Sequence, residues 1–409
     1  MKKIISIWPK LLIIPAVLLI TSALFNACQQ QQKNKVLIVT GQSTFNWEES
    51  SNALKQILEN SGLFKVLIHI SPQQGEDMSG FSPDFSDYDV VLLNYKGDSW
   101  SEKTKTSFVD YVKSGGGVVV YNTATGAFPD WEEYDKIIGL GDWDRREKKS
   151  DLYLYWEEDS FVYDTNPCPA GFTGTQNEFL VTNRNTEHPI TSGLQKQWRH
   201  AKDKLYDRLK GPAENITVLA TAYSDTANGG TGRNEPVIFT VRYGEGKVFH
   251  TVLGFTGEGD EMPALECVGF ITTLLRGTEW AATGQVTQPV PVDFPNSVSI
   301  HRWLNFRPLT LDEIMERISE YEIGKSRKYL YDLSNRIKKS DGSTETLMKY
   351  EKKMLELLNS DATVDSKNFI CTELSWMGSE KSIPALENLT EEEATAEMAA
   401  YALKRLKAE

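Results

Sequence analysis

Gly115-Gly116-Gly117-Val118-Val119-Val120-Tyr121-Asn122-Thr123-Ala124-Thr125-Gly126-Ala127-Phe128 is the stretch on which the fold class turns. Three glycines stop a helical pattern, a β-branched run follows, and small polar residues then break it. A strand buried on both faces of a parallel sheet reads as such an unbroken apolar run rather than as an alternation. Its carboxyl end opens into a turn, and ligands of open α/β sheets bind at the carboxyl ends of strands. A core strand followed by an ordinary loop would read the same way. The stretch therefore establishes an α/β domain and marks one place to look for a site.

On its amino-terminal side, Ser101 is placed to cap a helix carrying Phe108, Tyr111 and Val112, which Gly115 ends. Residues 88–94, 66–70 and 36–41 read as three further strands. Between the first two of the chain, Leu54, Ile57 and Leu58 recur at helical spacing and Gly62 closes the helix. Strands alternating with helices at this spacing imply right-handed crossovers and a parallel sheet with helices on both faces. On the carboxyl side the pattern loosens between Trp131 and Thr182. Residues 142–149 form a charged loop there, and 152–156 an added strand. Residues 218–222, 236–241 and 247–254 read as strands, the last two joined by the hairpin signal Tyr243-Gly244-Glu245-Gly246. A helix carrying Val268, Ile271, Leu274 and Leu275 closes the domain near Thr283, so the α/β domain spans residues 35–284.

Residues 285–308 contain Pro289, Pro291, Pro295 and Pro308 and read as a linker wrapping the domain surface. Beyond them the period is helical, as in Leu330/Leu333/Ile337, Leu347/Tyr350/Met354/Leu357 and Ile370/Leu374/Met377. Gly378, Pro384 and residues 361–363 interrupt it. Residues 309–409 are expected to form an all-α, HEAT-like stack of about three helix pairs that bury against their neighbours. Such a tail also offers a surface for a protein partner.

Residues 1–28 have the character of a targeting segment. Lys2, Lys3 and Lys10 precede an apolar run over 11–25 that ends in Leu24-Phe25-Asn26-Ala27-Cys28, followed by four glutamines. The junction resembles a bacterial lipobox, although a cleaved secretory signal or an anchor helix would share the apolar run. Cys28 is expected to be the lipid-modified N-terminus, with residues 29–34 as a polar tether. That expectation puts the protein in the cell envelope, at the outer membrane, facing the periplasm or the surface.

A net charge of −13 over 409 residues argues against a nucleic-acid partner, which would need clustered Lys and Arg. The ten tryptophans and sixteen tyrosines suit either sugar stacking or an aromatic core. Cys28, Cys168, Cys267 and Cys371 form no Cys-x-x-Cys pair, so they suggest no zinc site. Cys267 and Cys371 fall in helical patterns and read as small buried hydrophobes. No cysteine stands out as a nucleophile.

Several segments in order resemble the ThuA-like (trehalose-utilisation) family, which shares the flavodoxin-like fold of class I glutamine amidotransferases. They are Val39-Thr40-Gly41 with Asn46-Trp47, Tyr88-Asp89-Val90-Val91, Gly115-Gly116-Gly117 with Phe128-Pro129, Trp131 and Tyr134, and His188-Pro189-Ile190-Thr191. Trp198-Arg199-His200, Leu205-Tyr206, Glu235-Pro236, residues 243–251 and Arg276-Gly277-Thr278-Glu279-Trp280-Ala281 complete the set. The resemblance covers roughly residues 35–296. It implies a role around disaccharides, by way of keto-sugars. It does not imply glutamine hydrolysis, because no cysteine follows Val120 at the elbow. In the family pattern histidines stand where this chain has Phe45, Asn122, Thr173 and Phe255, and a glutamate where it has Lys204. An Asp-Asn pair likewise stands where it has Thr125-Gly126. Imidazoles and carboxylates serve proton transfer or metal ligation, and phenylalanine does neither.

Two readings follow. The first is a sugar-binding or partner-holding protein with a degenerate site. The second is an active enzyme on disaccharides or 3-keto-disaccharides, with His200 and Asp203 as proton-transfer groups and His188 as orienter. On a helix His200 and Asp203 would share a face. The substrate would be lined by Gly41, Phe45, Asn46, Trp47, Asn122, Thr123, Thr125, Tyr206, Gly254 and Phe255, since rings cover a sugar's apolar face and amides meet its hydroxyls. No cofactor is expected. A divalent metal would require His188, His200 and His250 to converge.

Overall fold

The computed structural model describes residues 33–407 apart from 44, 142–151, 167–168, 170, 257–261, 339 and 341. The targeting segment, Cys28, nearly all of the polar tether and the charged loop at 142–149 lie outside the described residues.

Chain order begins β1 (Asn34–Thr40), α1 (Trp47–Asn60), β2 (Phe64–Ile70), β3 (Val90–Leu93), α2 (Glu102–Lys113) and β4 (Gly117–Tyr121). The apolar runs read from sequence are these strands, and β1, β3 and β4 bury almost every residue. Ser101 caps α2 by accepting a hydrogen bond from the Thr104 N–H. Then follow α3 (Glu132–Ile138), β5 (Leu152–Glu157), β6 (Ser160–Asp164), β7 (Phe172–Thr173), β8 (Asn177–Asn183) and β9 (Gln197–Asp203). The domain continues through β10 (Tyr206–Asp207), β11 (Lys210–Gly211), β12 (Ile216–Tyr223), β13 (Asn234–Tyr243), β14 (Gly246–Thr251), α4 (Pro263–Glu266) and α5 (Val268–Thr283).

The main sheet runs β2-β1-β3-β4-β14-β13-β12-β8-β9. Its first five strands are parallel. From β14 onward every pairing is antiparallel, so the expected parallel sheet is the first half of a mixed one. The tight β13–β14 hairpin forces that change of direction, because a short turn joins only antiparallel neighbours. The sheet is nonetheless an α/β sheet with mostly parallel core strands. α5 packs over β4 and β14 and α1 beside it over β1 and β2, while α2 and α3 meet through Phe108, Trp131 and Tyr134. Trp100, Phe128, Phe85 and Tyr95 join that aromatic cluster, so the motif residues Phe128, Trp131 and Tyr134 are core.

Residues 285–308 are pinned to this domain. Phe294 is buried in its core, Arg302 pairs with Glu266, and Trp303 Nε1 donates to Asp293 Oδ2 (2.7 Å). Past them lie α6 (Leu311–Ser319), α7 (Lys328–Lys338), α8 (Thr344–Leu358), α9 (Val364–Met377), α10 (Ile383–Leu389) and α11 (Ala396–Leu406). They close on a core of their own that includes Ile314, Leu333, Met354, Ile370 and Leu374. Thr310 and Glu313 form a capping box at its first helix.

Gly117 shows how closely α5 lies on the sheet. A Cβ there would meet the Ala281 carbonyl oxygen at 2.5 Å and the Asp89 carbonyl oxygen at 2.9 Å. Gly117→Ala should destabilise the α/β domain by about 1–3 kcal/mol in urea unfolding, because backbone on both sides must yield. Gly80→Ala, where a Cβ meets nothing within 4 Å, should stay within about 0.5 kcal/mol of the wild type. Equal stability of the two variants would contradict this packing.

Candidate functional site

The carboxyl ends of β1, β4 and β14 come together where the sequence places a site. Three interactions tie β4 and its following turn to β14 and the turn after it. Tyr121 donates its hydroxyl to the Gly254 carbonyl, Asn122 Nδ2 donates to the Val252 carbonyl (2.7 Å), and Thr125 Oγ1 lies 2.9 Å from His250 Nε2. Asn122 takes a positive φ of 39°, which an asparagine tolerates better than most residues. Gly254, at φ 95°, has room for nothing larger, since a Cβ would lie 2.8 Å from both the Tyr121 and Phe270 rings.

His200 and Asp203 do meet, though on a bulged strand and not on a helix. Asn177 pairs with Asp203 and Phe179 with His200, so β9 carries one residue more than β8 between the two pairs. In a regular strand residues three apart face opposite sides. The extra residue returns them to one face. His200 Nε2 then donates to Asp203 Oδ2 at 2.7 Å. The same carboxylate accepts the Gly254 N–H on Oδ2 (2.7 Å), and the Phe255 (3.0 Å) and Lys204 (2.7 Å) N–H groups on Oδ1. Both side chains are fully buried.

Cys267 sits at the N-cap of α5 and not inside a helix. Its buried thiol is the ionisable neighbour of the His200 ring. Burial works against a charged His200 ring, but the Cys267 sulfur and the Asp203 hydrogen bond outweigh it and raise its pKa to about 9. Burial alone would push the Cys267 thiol up, yet the facing imidazole draws it below its usual value.

The other histidines are elsewhere. His188 rests on Trp280, with ring centroids 5.1 Å apart, and its Nδ1 accepts the Ile190 N–H. Trp280 is thirteen residues along α5 from Cys267, roughly 20 Å at helical rise, so His188 does not reach His200 and Asp203. Burial and the nearby Arg242 guanidinium depress the His188 pKa to about 4. His250 is wholly buried, with Nδ1 donating to the Ile138 carbonyl (3.1 Å) and Nε2 accepting from Thr125. Burial lowers its pKa to about 3 and keeps it neutral. Among the described residues no three His, Cys, Asp or Glu side chains gather as a metal site would require.

Of the expected sugar-lining residues, Asn122, Thr123, Thr125, Tyr206, Gly254 and Phe255 are buried. Asn46 is exposed, but its Oδ1 accepts the Glu49 N–H as the cap of α1. Gly41, Phe45 and Trp47 are half-buried at the rim. Among the described residues, Asn122, Tyr206 and Phe255 do not line the cavities formed by residues such as Tyr88 and Tyr111, Trp303 and Phe306, or Phe179 and Leu205.

Near the rim, Phe45, Lys204 and Phe255, three positions marked in the sequence reading, touch one another. Phe45 and Phe255 pack edge-to-face with centroids 4.5 Å apart. The Lys204 ammonium lies 4.3 Å from the Phe255 centroid and 5.4 Å from that of Phe45. Reading the sequence marked Lys204 only as a departure. It missed Tyr121 as a link and Cys267 as the neighbour of His200, since only the bulge and the helix start bring them there.

The mixed sheet with mostly parallel core strands, covered by helices and followed by a helical region, defines an α/β protein of one family's fold. The family described as trehalose utilisation, ThuA, matches residues 35–281, and the chain belongs to it. A ThuA-like protein of Parabacteroides merdae, solved by crystallography, is 48% identical with a TM-score of 0.66, covering 68% of this chain and 100% of that one. A ThuA-like protein of Bacteroides uniformis is 16% identical with a TM-score of 0.43, covering 64% and 95%. No curated protein matches the chain.

The His200–Asp203 pair has a pH signature. His200 has a folded pKa of about 9, above the value near 6.5 expected when unfolded. Its stabilising contribution is complete below pH about 6.5 and is lost as pH rises through about 9. The stability advantage of wild type over His200→Asn, from urea unfolding, should therefore shrink across that window. A flat difference from pH 6 to 9 would contradict the assignment.

Proposed function

We propose that this ThuA-family protein binds carbohydrate at the rim formed by Phe45, Trp47 and Lys204, over the buried Phe255 ring, and does not turn it over. The observation that carries this reading is the Phe45–Phe255 pair beneath the Lys204 ammonium, with the His200–Asp203 pair sealed below it. A ring face offers a surface for the apolar side of a pyranose. A proton-transfer group must reach the proton it moves, directly or through one water. His200 and Asp203 are fully buried, and the carboxylate's oxygens are already engaged by three main-chain N–H groups and the imidazole. Their residue types are those of an acid–base pair, and their surroundings are those of a structural clasp. Membership of a family associated with trehalose utilisation supports a disaccharide as the sugar class.

The same proposal keeps the protein at a membrane through a lipid on Cys28. Metabolic labelling with a radioactive fatty acid should mark the wild type and not Cys28→Ser; label on the variant would remove the anchor from the proposal. Among the described residues no helix is long and apolar enough to cross a membrane.

Calorimetric titration of the full chain with trehalose and other neutral disaccharides should show saturable binding that Phe45→Ala weakens roughly tenfold, a loss of about 1.4 kcal/mol. No sugar should be consumed in the same samples. Consumption of a disaccharide or a 3-keto-disaccharide that His200→Ala abolishes would replace this reading with an enzymatic one.

A further inference from the structure

We propose that the cavity between α1, α5 and the pinned segment 285–308 is a second binding site, for a neutral aromatic small molecule that carries one hydrogen-bond donor. It is separate from the carbohydrate rim and does not depend on that reading. Asn60, which lines the cavity, is thirteen residues along α1 from Trp47 at the rim, roughly 20 Å at helical rise.

The floor of this cavity is apolar and buried. Ile57 of α1 and Leu275 of α5 supply it, with Thr272, whose hydroxyl is turned onto the Val268 carbonyl of its own helix (2.6 Å). Trp303 and Phe306 stand at the walls as half-buried rings. The volume is about 400 Å³. Small-ligand pockets span roughly 300–1,000 Å³ and are lined mainly by apolar and aromatic side chains. The wall is also strained. Asn305 and Phe306 take φ of 60° and 56°, and a left-handed backbone is a true outlier for a bulky ring. Such strain lasts only where the surroundings hold it, and it gathers at ligand clamps. Here Gln56 and Asn60 of α1 both donate to the Asn305 carbonyl (3.4 and 3.2 Å), and the Trp303 indole donates to Asp293 (2.7 Å). The turn is thereby fixed with its two rings beside the apolar floor.

The charged groups of the lining decide the ligand's charge, because the protein answers each of them itself. Arg307 donates twice to Glu313 (2.8 Å each), and Arg336 of α7 donates to Asp332 and to the Leu309 carbonyl (2.8 Å each). The Asp293 carboxylate takes the indole N–H. A charged ligand would give up water against the apolar floor and would have to displace one of these partners, which is costly. A neutral ring system loses little water and covers Ile57 and Leu275. A carboxylate accepts more than one hydrogen bond, so Asp293 has capacity for one N–H or O–H from the ligand. Flat, apolar, uncharged and with a single donor is the chemistry that this lining recognises.

The test is fluorescence titration of the full chain with N-phenyl-1-naphthylamine, a neutral aromatic probe with one N–H whose emission rises in apolar surroundings. A saturable rise is expected. Ser61→Trp and Gln288→Trp each place a ring at the cavity from a different side, and each should weaken the probe roughly tenfold or more, with folding checked by circular dichroism. The same rings bearing a sulfonate, 1-anilinonaphthalene-8-sulfonate, should bind roughly tenfold or more weakly, because the added charge finds no open partner. Phe45→Ala should leave probe affinity unchanged, and trehalose should not displace the probe. Absence of a saturable rise, insensitivity to both tryptophan variants, or loss of binding in Phe45→Ala overturns the site. Equal or tighter binding of the sulfonate overturns the neutral class. None of these results bears on whether sugar binds at the rim, so the two readings fail separately.

Discussion

The carboxylate of Asp203 is the point to which the rest of this domain is fastened. It is buried, and it gathers the main-chain N–H groups of Lys204, Gly254 and Phe255 together with the His200 ring. A buried charge is costly unless it is paired and hydrogen-bonded on every side. Those partners come from two distant parts of the chain, the edge strand β9 and the turn after β14. One side chain thus closes the antiparallel half of the sheet onto the parallel half. Because Gly254 also receives the Tyr121 hydroxyl, the same clasp reaches β4 and the turn that begins at Asn122.

That constraint accounts for the character of the site. Groups held so tightly are poor instruments for moving protons to a ligand, since their lone pairs and hydrogens are already used. The positions still partly exposed there, Phe45, Trp47 and Lys204, are aromatic and cationic. Phe45 and Phe255 seal the hollow, and Lys204 lies across them. Phe45, Lys204 and Phe255 lie together in space, although the first is far from the other two in sequence. Membership of the ThuA family gives the fold and its association with trehalose utilisation, while the chemistry of this rim belongs to the chain itself.

Much of the fold was legible because burial on both faces writes a recognisable pattern. The valines of β4 and the capped helix α2 follow directly from residue type and spacing. The strands β8 and β9, at the antiparallel end of the sheet, were not legible. They carry polar residues on an exposed side, and β9 contains a bulge that no alternation announces. The same bulge explains why His200 and Asp203 suggested a helix. They do meet, but by an inserted residue and not by helical pitch. His188 looked like a third member because Pro189 follows it in a family motif, yet its ring packs on Trp280 at the far end of α5. Cys267 read as a helical core residue because only the start of α5 distinguishes a cap from an interior position.

Imidazole NMR of His200, in protein with and without bound sugar, tests the clasp most directly. If the pair is structural, the ring stays protonated up to pH about 9, and its resonances do not move when sugar is added. A ring that titrates near the ordinary histidine value of about 6.5, and whose titration shifts on sugar binding, would show a proton-transfer group in contact with ligand and would contradict this account.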